Sequence, residues 1–149
     1  FKKKKINIYF LGPAWDDWSV TENSTYAALN GLTLRPYEEK ITGDISNASM
    51  IDEEFTNINM MIKYYKFGFG RASDLINESI RLDKITREEG MEIIEKYDGI
   101  CDDSIIKSYC NYVDIKVEEF WEIVYSFTNK DLFKIKKDNI RPIRKFKIG

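Results

Sequence analysis

The nine residues "KFGFGRASD", Lys66 to Asp74, hold two aromatics, two glycines, two cations and one carboxylate. Helical patterns run up to the stretch from Ser49 and away from it to about Asp83, so it falls between two helices. Two readings of the residues stand side by side. In one the stretch is a corner: Gly68 and Gly70 let the chain leave one helix and enter the next, Phe67 and Phe69 fill the bend, and Ser73 or Asp74 caps the second helix. In the other it holds an anion. Lys66 and Arg71 flank a helix start whose free amides attract negative charge, and a point cation beside a planar guanidinium fork is a common pair around phosphate.

A second cluster, "GPAWDDWS", runs from Gly12 to Ser19. Trp15 and Trp18 beside Asp16 and Asp17 suit a sugar, whose apolar face stacks on a ring while its hydroxyls donate to carboxylate oxygens. The cluster follows a strand-like run, and ligands of open α/β sheets bind beyond strand C-termini. The alternative is that both aspartates are first-turn carboxylates with the tryptophans packed below. The chain has no histidine, which removes the commonest general base and the commonest transition-metal ligand. Zinc chemistry and Ser-His triads are excluded within it, and no metal site is expected.

These groups must be positioned by a chain of 149 residues, long enough for one real core. "KINIYFLG", Lys5 to Gly12, is β-branched and aromatic and stops at Pro13, as a strand covered on both faces would. Other strand candidates are "LTLRPY" and the tail "LFKIKKDNIRPIRKFKI". The remainder is helical. "SVTE" at Ser19 to Glu22 fits a capping box, with a stop at Gly31; Ser49 with Asp52 fits one weakly; Thr86 with Glu89 is the best, with a stop at Gly99. Apolar stripes follow around Ile105, Ile106, Tyr109, Cys110 and Val113, and around Val117, Phe120, Trp121, Val124 and Phe127. The expected fold is mainly α: at least five helices, one N-terminal strand and a possible short C-terminal hairpin. Residues 1–13 would be a strand continuing from an upstream α/β domain, 14–130 a helical domain, and 131–149 a basic strand or tail.

The net charge of -2 hides a segregation. Lys2 to Lys5 give four cations, and Asp131 to Gly149 holds seven cations against two carboxylates, leaving 12 cations against 23 carboxylates between. The basic runs lack the aromatic interleaving of a nucleic-acid reader, so solvated ends and no nucleic-acid partner are expected. No apolar run approaches the ~18 residues of a membrane span, so no membrane is expected. Cys101 and Cys110 lie in or beside helical sequence without a signal-peptide pattern, which suits a reducing cytoplasm, with Cys110 a small core residue.

"MIKYYKFGFGRASDLINESIRLDKITREEGMEIIEKYDG" resembles the C-terminal region of the N-acetyl sugar amidotransferases of bacterial surface-polysaccharide and flagellin-sugar biosynthesis, whose members carry "KFGFGRATD", "ITREE" and "KYDG" elements. "EEFWEIV", Glu118 to Val124, is similar to the family's next element, and "ISNASMID", Ile45 to Asp52, to a preceding "YTNYDxID", with Ala48 and Ser49 replacing Tyr and Asp. The ordered series covers most of Trp15 to Phe133. The resemblance implies a PP-loop ATP pyrophosphatase: ATP, with Mg, adenylates the amide oxygen of an N-acetyl sugar, and ammonia from a partner glutaminase attacks the activated carbon. An acetamidino group forms, and AMP and pyrophosphate leave. The family's "SGGxDS" loop, which cradles pyrophosphate, is absent here, and the chain begins at Phe1. The chain is therefore expected to be a C-terminal part, inactive alone, that packs on an α/β nucleotide domain. On this reading Lys66 and Arg71 are catalytic and, with Gly68 and Gly70, contact the nucleotide phosphates; Trp15, Asp16, Asp17 and Asp74 contact a sugar or sugar nucleotide. The alternative is a helical module that only binds a sugar nucleotide or partner protein.

If Trp15 stacks on a sugar and Asp16 accepts its hydroxyls, Asp16→Asn in the intact enzyme weakens substrate binding and leaves the melting temperature nearly unchanged. Calorimetric titration beside a thermal melt checks this; unchanged binding with a lowered melting temperature assigns the aspartate to capping.

Overall fold

The computed structural model describes residues 7–11, 14, 18–35, 42–49 and 51–148. The chain divides into two units, Phe1–Thr33 and Leu34–Gly149.

The first unit carries α1, Val20–Leu29. Ser19 caps it as "SVTE" predicts, its hydroxyl accepting from Glu22 N at 3.0 Å, and Gly31 follows the helix at φ 99°. Residues 7–11, expected within a buried strand, form no strand and are exposed, Phe10 at 85%. An extended segment is stable as a strand only when its backbone N–H and C=O groups are paired, and no sheet partner is offered to these residues among those described. Gly12, Pro13, Trp15, Asp16 and Asp17 lie outside the described residues.

The second unit is built from α2 (Thr56–Phe67), α3 (Arg71–Arg81), α4 (Arg87–Tyr97), α5 (Asp103–Val113) and α6 (Val117–Phe127), followed by an antiparallel hairpin of β1 (Phe133–Lys136) and β2 (Asn139–Arg144). The fold is mainly helical with a C-terminal hairpin. α2 begins later than its apolar pattern predicts. Residues 44–49 instead wrap the buried Asp44 carboxylate, which accepts from Ser46 Oγ at 2.7 Å and Ser49 N at 3.2 Å, so Ser49 is held in a loop and cannot cap a helix. The Thr86–Glu89 capping box forms in full: Thr86 Oγ1 accepts from Glu89 N, and Glu89 accepts from Thr86 N. These bonds hold the Glu89 carboxyl below its usual range.

The core lies where the stripes of α2, α5 and α6 meet: Ile58, Met61, Ile105, Ile106, Phe120 and Trp121 are buried with Val124. Cys101 and Cys110 are buried free thiols, and burial pushes Cys101 up to about 12, so it stays protonated at neutral pH. Phe133 of β1 inserts edge-on between the rings of Tyr64 and Tyr65, at centroid distances of 5.1 and 5.4 Å. The register slips between Lys134 and Lys136, opposite Pro142, whose ring nitrogen has no proton to donate.

The tail is solvated at its lysines, as its charge suggests, but its two arginines are docked on the body. Arg141 donates to Cys101 O at 2.8 Å and to Asp103 Oδ1 at 2.6 Å and lies over the Trp121 ring, while Arg144 pairs with Glu95. The positive charge of the same guanidiniums favours the phenolates of Tyr65 and Tyr64; burial outweighs it and raises both tyrosines, Tyr65 to about 12. Arg141 donates to the body through its edge and lies over Trp121 with its face, so removing it leaves the carbonyl of buried Cys101 without this donor and uncovers the ring.

Trp121→Ala removes a ring 95% withdrawn from water and leaves a cavity under Arg141, for an expected loss of ~3 to 5 kcal/mol in urea unfolding. A loss below ~1 kcal/mol would place the ring outside the core.

Candidate functional site

α2 ends where Gly68 turns left-handed, at φ 83°, and its N–H returns to Tyr64 O at 2.7 Å. α3 then starts on Gly70, a residue with no side chain to cap the new helix, so its first amides need an acceptor from elsewhere. The acceptor is Asp98, the residue after α4. Its Oδ2 accepts from Gly70 N at 2.8 Å and Ser73 Oγ at 2.6 Å, and its Oδ1 accepts from Ser73 N at 3.3 Å. Asp98 is 8% exposed and Ser73 7%. A carboxylate this close to a helix N-terminus also gains from the helix dipole.

Two glycines let the parts close. Gly70 has an extended backbone that any residue adopts, but a Cβ there would lie 2.6 Å from Asp98 Oδ1. Gly99 needs φ 75°, and its Cβ would lie 2.1 Å from the Tyr64 ring. "KFGFGRAS" and "KYDG", 28 residues apart at the Gly70 to Asp98 bond, thus form one interlock. A third stretch joins it through Arg71, whose Nη2 donates to Ser49 Oγ at 2.6 Å, tying "ISNAS" to the start of α3.

The expected site residues fall as follows. Lys66 is exposed, its ammonium 5.3 Å from the Phe67 ring centre and 5.7 Å from that of Phe127. Arg71 is half-buried, with Nη2 committed to Ser49. Asp74 pairs with Lys63 at 2.6 Å across a part-exposed surface, a contact worth at most ~1 kcal/mol. Gly68 and Gly70 belong to the corner itself. Trp15, Asp16 and Asp17 lie outside the described residues, and Trp18 is exposed in the first unit. The α3 amides that an external anion would use therefore already carry the protein's own carboxylate; the cationic side chains remain for a ligand.

Asp98 was invisible to motif reasoning because "KYDG" reads as a helix stop. The signal that points to it is the combination of a helix opening on Gly without a capping side chain and an Asp-Gly ending another helix. Beside the interlock, Gly68, Ser73 and Asp98 form the inner wall of a cleft of about 310 Å³ between α3, α4 and residues 146–148.

A carboxylate-capped helical unit closed by a C-terminal hairpin is the class of domain that this geometry defines. Residues 33–147 match the family described as "LPS biosynthesis protein WbpG-like, C-terminal domain", and the chain belongs to that family. Its role thus lies in polysaccharide biosynthesis. No curated protein and no solved structure matches it. Among the described residues no helix is long and apolar enough to cross a membrane.

Asp98→Ala strands two backbone N–H groups and one hydroxyl in a buried place, and ~2 to 4 kcal/mol of unfolding free energy is expected to go with it. Asp98→Asn keeps the shape but turns an amide donor toward donors, and loses about half as much or more. Urea melts of both variants decide: a loss under ~0.5 kcal/mol in each removes Asp98 from its place as the α3 cap.

Proposed function

We propose that this domain completes the active site of an ATP-dependent N-acetyl sugar amidotransferase, in which a sugar acetamido group becomes acetamidino with ammonia from a partner glutaminase. The supporting observation is the interlock. Three stretches that resemble the amidotransferase family, "ISNAS", "KFGFGRASD" and "KYDG", converge in one place through Ser49–Arg71 and Gly70/Ser73–Asp98 contacts. In the proposed reaction the amide oxygen attacks the α-phosphorus of ATP, breaking the bond to pyrophosphate. Ammonia then adds to the activated carbon, and AMP departs with that oxygen. Negative charge accumulates on the leaving pyrophosphate, the place where preorganised cations contribute most. Lys66 offers an exposed ammonium there, and Arg71 keeps the guanidinium nitrogens not used on Ser49. ATP and Mg would be held chiefly by an upstream PP-loop domain, in the cytoplasm.

A second reading is favoured by one observation: Asp98 occupies the α3 amides and Arg71 bonds Ser49, as a structural corner requires. On that reading the domain is a non-catalytic module that binds a sugar nucleotide or partner protein.

Steady-state AMP release by the full-length enzyme, with saturating sugar and ammonia, separates the two. Lys66→Ala and Arg71→Ala lower turnover ~10²-fold or more if each cation contributes ~3 kcal/mol to the transition state, and Arg71→Lys recovers only part. Ser49→Ala breaks the Arg71 tie without removing the cation and leaves turnover near normal. Near-normal rates in both alanine variants, with early melting, assign the cations to the corner alone.

A further inference from the structure

We propose that the cleft between α3, α4 and the segment Phe146–Ile148 is a binding site for a small organic anion, a phosphate or carboxylate carried on an apolar body of about one ring. The proposal does not rest on the amidotransferase reading: it shares the wall of Gly68, Ser73 and Asp98 but uses neither Lys66 nor Arg71. The cleft measures about 310 Å³, near the lower end of small-molecule sites at roughly 300 Å³. Its apolar lining comes from Ile80, Met91, Ile94 and Phe146, each only partly buried. Its polar lining includes Arg87, Lys147 and the Asn77 amide, all exposed.

The two cations carry the inference. Arg87 opens α4 and Lys147 comes from beyond the hairpin, yet they line the same cleft. Neither makes a hydrogen bond or ion pair among the described residues, whereas Arg141 and Arg144 are committed to Asp103 and Glu95. Asp98, the carboxylate on the inner wall, is held by Gly70 and Ser73 and makes no ion pair with either cation among the described residues, so both remain open to a ligand. A ligand with charge at one end and an apolar ring at the other matches that division. The ring covers the aliphatic lining, and the anion takes the guanidinium, the ammonium and the Asn77 donor.

The test is a nitrogen-proton correlation titration of the 149-residue chain with phenyl phosphate, benzoate, benzyl alcohol and inorganic phosphate. Saturable shifts at α3, α4 and residues 146–148 are expected with phenyl phosphate or benzoate, and the stronger of the two identifies the anion. Arg87→Ala and Lys147→Ala each weaken that binding about tenfold with thermal melts unchanged, and benzyl alcohol fails to saturate. Met91→Gln weakens phenyl phosphate but not inorganic phosphate. The proposal is overturned if neither organic anion saturates, if inorganic phosphate binds as tightly as phenyl phosphate, or if the Arg87→Ala/Lys147→Ala double variant keeps full affinity.

Discussion

The second unit depends on how α3 begins. A helix start presents N–H groups with no partner within the helix, and burying them unpaired is costly. Gly70 brings no acceptor, and Asp98 supplies one from the end of α4. That contact fixes α4 against α3, requires the small residue at 70, and with Gly99 brings the chain past the Tyr64 ring. Tyr64 in turn packs on Phe133, so the hairpin is seated against the same side chain. Gly90 extends the close approach: a Cβ there would meet Ile76 and Ile80 of α3 at under 3 Å.

What could be seen in the sequence was local. Thr86 and Glu89 are three residues apart and bond each other as their types predict; the stripe Phe120, Trp121 and Val124 is buried because nothing polar interrupts it. The left-handed turn at Gly68 also follows from composition. What could not be seen was non-local or competitive. The apolar spacing from Met50 onward is helical, yet Asp44 captures Ser46 and Ser49 and delays α2 until Thr56. Gly70 was legible as a turn glycine, but its role is to leave space for a carboxylate 28 residues away. No periodicity encodes that.

Charge patterning misled at Arg141 and Arg144, though not at the exposed lysines around them, for a related reason. A run with seven cations resembles a solvated tail when its counter-charges are counted only nearby. The partners of Arg141 and Arg144 lie on α5 and α4, far away in sequence, and both guanidiniums sit beside tyrosines whose rings are buried. Guanidinium suits this place because its flat face stacks on Trp121 while its edge donates. Lysine, abundant in the same tail, could not do both.

The interlock bears on how family likeness should be weighed against chemistry. Gly70, Asp98 and Gly99 lie in the stretches that resemble the family, Ser73 stands where its members carry Thr, and each is accounted for by packing or hydrogen bonding within the domain. Their likeness identifies the framework, which sets where Lys66 and Arg71 stand. Residues that the framework leaves uncommitted are more informative: Lys66 rests over two aromatic rings in an exposed position, although the corner would close without its charge. Arg71 is intermediate, since one nitrogen serves the framework and the rest make no bond to it among the described residues. A phosphate brought to this corner would meet side-chain cations held by a rigid base, with the backbone amides already taken by Asp98. The recognition would then rest on charge and fork geometry, which an alanine removes without disturbing the cap beneath.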